Sequence, residues 1–274
     1  MKRVIIVGYK SFLQENLYKY LKKKKINVRK IKFSSFKNIK LHQNDTIINC
    51  SITDDFFYKK YKTKNDRNLE ICKLIKNQSI KFIMFSTRQI YKPKLQTNEK
   101  SKIKPINNYA QNYYMSEINC KKIMKNNILI LRISNVIGYD STKKKRLSML
   151  RTMIEGIKKK IIIFDNSYKF KKDILPVNFF SVFVYRILIK NVNGILNIGS
   201  GQSFTLLQIA KIFIRNKKYI NIQINNKNKS KDESYSYNVS RLHKITKVKY
   251  SRKDVIKEIQ LIRFKFFEYL KKNI

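Results

Sequence analysis

Short apolar runs alternate with longer amphipathic stretches from the start of this chain. Residues 3–7 (RVIIV) form a compact apolar run that stops at Gly8. Phe12, Leu13, Leu17 and Leu21 then recur at helical spacing, predicting a helix over 12–24. Apolar runs at 26–33, 45–49, 81–86 and 128–134 predict further strands. Between them, 68–76 (through Leu69, Cys72 and Ile75) and 109–126 predict helices. Strands alternating with helices at this spacing predict an α/β fold, a doubly wound parallel sheet with helices on both faces.

After about residue 140 the pattern changes. A basic helix is expected over 143–159, a short strand at 161–164 and a strongly apolar helix over 177–189, read as core or dimer packing. A strand at 194–198 runs into a Gly-Ser-Gly turn at 199–201. Thr205 reads as the N-cap of a helix through Leu206, Ile209, Ile212 and Phe213. Residues 225–236 read as a polar loop. The last helix, 253–271, carries Val255, Ile259, Ile262, Phe266 and Leu270. There is no internal repeat and no Pro-rich linker. The reading is therefore one domain over 1–274, with a smaller lobe built mainly from about 140–274.

Composition adjusts this picture in two ways. Hydrophobic residues make up 43% of the 274 residues, enough for a core, and no run is long enough to span a membrane. Three scattered cysteines without paired spacing fit a reduced, cytoplasmic protein rather than a disulfide or metal framework. The formal net charge of +45 raises the alternative of a polyanion-binding protein. The basic residues, however, are spread over loops and helix backs rather than gathered on one tail, and no aromatic-basic module is present, so nucleic acid is not the expected partner. His42 and His243 have no partner spacing and are assigned no chemistry, and the sparse acidic residues show no metal spacing.

The candidate chemistry starts at the first strand-to-helix turn, Gly8-Tyr9-Lys10-Ser11-Phe12-Leu13-Gln14. A dinucleotide-binding turn uses glycines to bring backbone close to a pyrophosphate at a helix N-terminus. Only the first glycine is present here, and Ser11 and Gln14 stand where the others would be. Lys10 and Ser11 can supply a charge and a hydroxyl to a phosphate. At the end of the second strand, Arg29, Lys30 and Lys32 suit a 2′-phosphate, favouring NADP over NAD. Three further segments follow: Phe85-Ser86-Thr87-Arg88-Gln89-Ile90-Tyr91, then Pro105 to Glu117 with Tyr109, then Leu131-Arg132-Ile133-Ser134-Asn135-Val136-Ile137-Gly138.

In this order the segments resemble the extended short-chain dehydrogenase/reductase family, the nucleotide-sugar epimerases, dehydratases and reductases. Ser86-Thr87 followed by Pro-x-x-x-Tyr is closest to its dTDP-4-dehydrorhamnose reductase-like branch. Residues 45–51, the run Lys172-Asp173-Ile174-Leu175-Pro176-Val177 and the run Leu196-Asn197-Ile198-Gly199-Ser200-Gly201 extend the resemblance over roughly 3–242. It implies a Rossmann-type fold with a C-terminal substrate lobe, and an NAD(P)-dependent hydride transfer on a nucleotide-linked sugar. It implies that Tyr109 exchanges a proton with the sugar oxygen and that Thr87, or Ser86, holds that oxygen. It places Gly8, Lys10, Ser11, Phe12, Leu13, Arg29, Cys50 and Ser51 beside the cofactor, and Arg132 and Asn135 beside the substrate. It also implies a homodimer through the helix that carries Tyr109.

One departure bears on function. The family has a lysine four residues after its tyrosine, on the same helical face. Its ammonium lowers the phenol pKa and holds the nicotinamide ribose. Here that residue is Tyr113, and Lys121 and Lys122 lie three turns away. The alternative to an active enzyme is therefore a catalytically impaired member that binds a nucleotide or a partner.

Overall fold

The computed structural model describes residues 3–139, 149–164, 166–215, 220–224 and 233–272. In chain order its first half comprises β1 (Val4–Val7), α1 (Phe12–Lys23), β2 (Val28–Ile31), β3 (Thr46–Asn49), α2 (Asp54–Tyr58), α3 (Arg67–Ile75), β4 (Lys81–Thr87), α4 (Asn108–Met124), β5 (Ile128–Ile133) and β6 (Asn135–Ile137). The second half comprises α5 (Met149–Lys158), β7 (Ile161–Phe164), β8 (Lys171–Pro176), α6 (Val177–Lys190), β9 (Gly194–Ile198), β10 (Ser203–Thr205), α7 (Leu206–Ile214), β11 (Asn221–Ile224), α8 (Ser240–Thr246) and α9 (Arg252–Lys272).

Six strands form one sheet in the order β2-β1-β3-β4-β5-β9, and every pairing in it is parallel. The expected doubly wound parallel sheet is therefore present. β1, β3 and β5 are buried along their whole length. A central strand covered on both faces needs such a continuous apolar run, which explains why these strands do not alternate. One face is closed by a core through Leu17, Leu21, Ile83, Leu129, Phe180, Phe183 and Ile187. The other is closed through Ile71, Cys72, Ile75, Phe82, Cys120 and Met124. The apolar helix α6 is core: it buries Phe179, Phe180, Phe183 and Val184 and packs against α1 and α8.

The helix starts follow local chemistry. Asn107 caps α4 by accepting the Ala110 N–H, and Asp66 caps α3 by accepting from Asn68 and Leu69. Thr205 and Gln208 form a reciprocal capping box at α7. The second strand is shorter than its apolar run: pairing with β1 begins at Val28 and ends at Ile31. Residues 33–38 turn instead into a 3-10 helix.

Two small sheets lie outside the main one, β10-β8-β6 and the parallel pair β11-β7. β7 is the short strand expected at 161–164; β6, β8, β10 and β11, three to six residues long, carry too little pattern to stand out in the sequence. The expected helix over 143–159 is present from Met149, and its first residues lie outside those described, as does 225–232 of the expected loop. Among the described residues no helix is long and apolar enough to cross a membrane.

Candidate functional site

Strand order reverses between β1 and β3, where parallel sheets open a crevice at their carboxyl ends. A cavity of about 450 Å³ lies there, a size that suits a small-molecule site. Ser11, Phe12 and Leu13 of the β1–α1 turn line it, with Cys50 and Ser51 after β3. Ser86, Thr87 and Arg88 at the end of β4, Tyr109 and Tyr113 on α4, and Asn135 and Gly138 after β5 complete its wall.

In the β1–α1 turn, Gly8 adopts φ +154 and Lys10 φ +47. Ser11 caps α1, its hydroxyl accepting the Gln14 N–H at 3.3 Å. The N–H groups of Phe12 and Leu13, in the first helical turn, have no intrahelical acceptor and lie at the cavity. Gln14 stands where a glycine would allow close helix-to-strand packing. Its side chain is 1% exposed and folds back, donating to the Gly8 carbonyl at 2.8 Å and the Ile6 carbonyl at 3.4 Å. The Phe12 ring fills the space in front of Gly138: a Cβ there would lie 2.6 Å from Phe12 Cζ and 2.7 Å from Val177 Cγ1.

Arg29 lies on β2, at the edge of the main sheet. It pairs in register with Ile5, two residues short of the strand end, and is exposed away from the cavity. Lys30 is engaged with Glu15 at 2.9 Å. The cations near the turn are Lys32 and Lys10, with Nζ atoms 4.7 Å and 5.2 Å from the centroid of the Tyr9 ring. After β3, Cys50 lines the cavity with its thiol pKa pushed up by burial. The Ser51 hydroxyl is already donated to Asn49 Oδ1 at 2.7 Å, so Ser51 shapes the loop more than it offers a hydrogen bond.

On α4, Tyr109 and Tyr113 stand one turn apart, ring centroids 4.9 Å apart and nearly perpendicular. Sequence reading missed α2, which packs against α4. Phe57 packs on Tyr109 at 4.6 Å and Phe56 on Tyr113 at 5.2 Å. Asn112 ties the two helices by donating to the Phe56 and Lys59 carbonyls. Tyr113 is 6% exposed, so the place of the family lysine is filled by packed aromatic surface.

At the end of β4, Thr87 and Ser86 have different surroundings. The Thr87 hydroxyl accepts the Gln89 N–H at 3.3 Å, which leaves its own proton free to donate. Ser86, also on the cavity wall, donates instead to Glu117 Oε1 at 2.5 Å. Arg132 is 3% exposed and does not line the cavity. Its Nε and Nη2 bond Glu117 at 3.0 Å and 2.5 Å, and its Nη1 bonds the Tyr91 hydroxyl at 2.7 Å. Burial works against the charge of Arg132, but Glu117 and Tyr91 overcome it and raise its pKa. Tyr91 passes the network on to Asn197 Oδ1 at 2.9 Å. Asn135, read from the same segment as Arg132, does line the cavity. Arg88, which sequence reading passed over, lines it as well. Among the described residues no cluster of His, Cys, Asp and Glu could hold a metal ion.

The chain was compared with known proteins. UDP-N-acetylglucosamine 4-epimerase from Methanobrevibacter ruminantium, solved with UDP-N-acetylmuramic acid, is 17% identical with a TM-score of 0.80, covering 98% of this chain and 99% of that one. dTDP-glucose 4,6-dehydratase from Bacillus anthracis, solved with NAD, is 15% identical with a TM-score of 0.79, covering 99% and 98%. RMD from Pseudomonas aeruginosa, solved with NADPH, is 16% identical with a TM-score of 0.79, covering 98% of each chain. These likenesses show a shared fold. No curated protein matches the chain by sequence. The sequence pattern of the NAD dependent epimerase/dehydratase family matches residues 60–199, more than half of the chain and the stretch that carries Thr87, Tyr109 and Asn135. The chain therefore belongs to the NAD dependent epimerase/dehydratase family.

Proposed function

We propose that the chain binds a nicotinamide dinucleotide, NADP in preference to NAD, and acts on a nucleotide-linked sugar held over Thr87, Tyr109 and Asn135. One observation carries this reading: Thr87, Tyr109 and the first-turn N–H groups of α1 share one cavity at the reversal of strand order. The phosphate end of such a cofactor fits the residues present. Phe12 and Leu13 offer backbone N–H groups at the positive end of a helix, and Lys10 and Lys32 flank the exposed Tyr9 ring where a 2′-phosphate would lie. The ribose end offers aromatic rings in place of an ammonium. Similar structures solved with NAD and with NADPH support a nicotinamide cofactor.

A bound nicotinamide would supply or accept a hydride at the sugar carbon. Tyr109 exchanges the proton at the sugar oxygen, and Thr87 donates a hydrogen bond to that oxygen while the Gln89 N–H fixes its own geometry. Asn135 borders the sugar from just beyond the end of the neighbouring strand β5. Titration with NADPH and NADH, followed by nicotinamide fluorescence, tests the reading. Saturable binding supports it, and absence of binding by both refutes it.

A second reading, a member that binds nucleotide without turning over sugar, is favoured by the packing of Tyr113 against Phe56. Cofactor binding together with no turnover of any nucleotide sugar would select it.

A further inference from the structure

The end of β4 holds a cation whose charge no described neighbour balances. Arg88 directly follows Thr87, lines the cavity and is 9% exposed. Its guanidinium carbon lies 3.7 Å from the centroid of the Tyr235 ring. Its Nε is buried without a hydrogen-bond partner. No carboxylate among the described residues pairs with it. Arg132, on the neighbouring strand, shows what a buried arginine has when it is structural, since Glu117 takes its charge directly.

The Tyr235 platform is fixed in place. Its hydroxyl accepts the Asn135 N–H at 3.2 Å and donates to the Asp173 carbonyl at 3.3 Å. The stacked guanidinium is thereby tied to Asn135, another residue of the cavity wall. Lys172 adds a second positive charge 6.0 Å from the same ring and keeps its own partner, Glu233. A neutral ring attracts a cation but does not neutralise it. A guanidinium removed from water without a counter-charge is costly to hold. Its planar fork matches a carboxylate through two parallel hydrogen bonds.

We propose that Arg88 is a specificity-determining residue that binds an anionic substituent carried on the sugar itself, the carboxylate of a uronic acid. This rests on the nucleotide-sugar reading above. In that reading Thr87 holds the reacting oxygen, so a cation on the next residue serves a group attached beside the reacting carbon. The diphosphate, bonded to the anomeric carbon, belongs to the other end of the substrate. A neutral sugar would leave Arg88 buried and unpaired, which discriminates against it.

The test is calorimetric titration of the NADPH-loaded protein with matched pairs, UDP-glucuronate against UDP-glucose and GDP-mannuronate against GDP-mannose, with UDP and GDP as further arms. In one of the pairs the uronate binds at least about tenfold more tightly. Arg88→Gln removes that advantage, Arg88→Lys keeps part of it, and thermal melting of each variant establishes that it is folded. Equal binding within both pairs, no uronate binding, or an advantage that survives Arg88→Gln overturns the inference. So does an Arg88→Gln loss that is as large for UDP or GDP alone, which would assign the cation to the diphosphate. If neither NADPH nor NADH binds, the nucleotide reading fails first and this inference falls with it, a failure recognisable before any sugar is added.

Discussion

Tyr113 stands edge-on to Tyr109, ring centroids 4.9 Å apart and planes at 79°. The residue one turn along α4 thus offers the phenol of Tyr109 a ring in place of a charge. An ammonium adjacent to a phenol lowers its pKa. Tyr113→Lys is therefore expected to extend the pH–rate profile toward neutral pH and to tighten NADPH binding about tenfold. The variant loses the contact with Phe56, so a stability loss of about 1–3 kcal/mol accompanies the gain. Fluorescence titration and pH–rate measurements read the two effects, and cofactor affinity unchanged across pH would remove Tyr113 from the site.

Gln14 does work that a glycine would leave undone. Gln14→Ala leaves the Gly8 carbonyl without its side-chain donor at 2.8 Å, and an orphaned buried acceptor costs about 1–3 kcal/mol. The urea midpoint falls with an unchanged slope. Cofactor affinity falls as well if the bond holds the phosphate turn in shape, and a loss of stability alone would limit Gln14 to the fold.

The Glu117–Arg132 pair is buried on both sides, with side chains 2% and 4% exposed. Glu117→Ala leaves an unpaired guanidinium inside the sheet, at a cost of about 3–5 kcal/mol. Replacing both partners by methionine is expected to recover much of that loss. A double-mutant cycle from denaturant melts measures the coupling, and additive single losses would show that the pair is weakly coupled.

Asp45 anchors the start of β3. Burial raises its pKa, but hydrogen bonds from Arg3 and the His42 N–H outweigh that and hold it below its ordinary value. A carboxyl depressed in the fold contributes stability above its unfolded value, about 3.9, and that stability is lost as pH falls through the folded value. Arg3→Met is thus expected to destabilise the protein more at pH 7 than at pH 3. Melts at the two pH values decide this, and equal losses would show that Arg3 acts through packing.

The parts legible in the sequence were those with their own periodicity. β1, β3, β4 and β5 are apolar runs bounded by polar turns, and α4 and α6 are long enough to show their faces. α2 was not legible: Asp54–Tyr58 is five residues long and has no repeat, although its Phe57 packs on Tyr109 and its Phe56 on Tyr113. Arg88 was hidden because it is one of 62 basic residues, and only burial against Tyr235 sets it apart. Arg132 is the opposite case. Its place at a strand end suggested a ligand, yet its partner Glu117 lies fifteen residues away on α4, a pairing that sequence spacing does not reveal.

Gly138 meets the Phe12 ring on one side and Val177 on the other, with no room for a methyl group. Phe12 opens the helix of the phosphate turn, and Val177 opens α6, which leads to β9 at the far edge of the main sheet. The seam is therefore an interlock. A tilt of α1 to admit a ligand cannot leave α6 where it was, so whatever settles on the first turn of the chain also sets the stance of the second half.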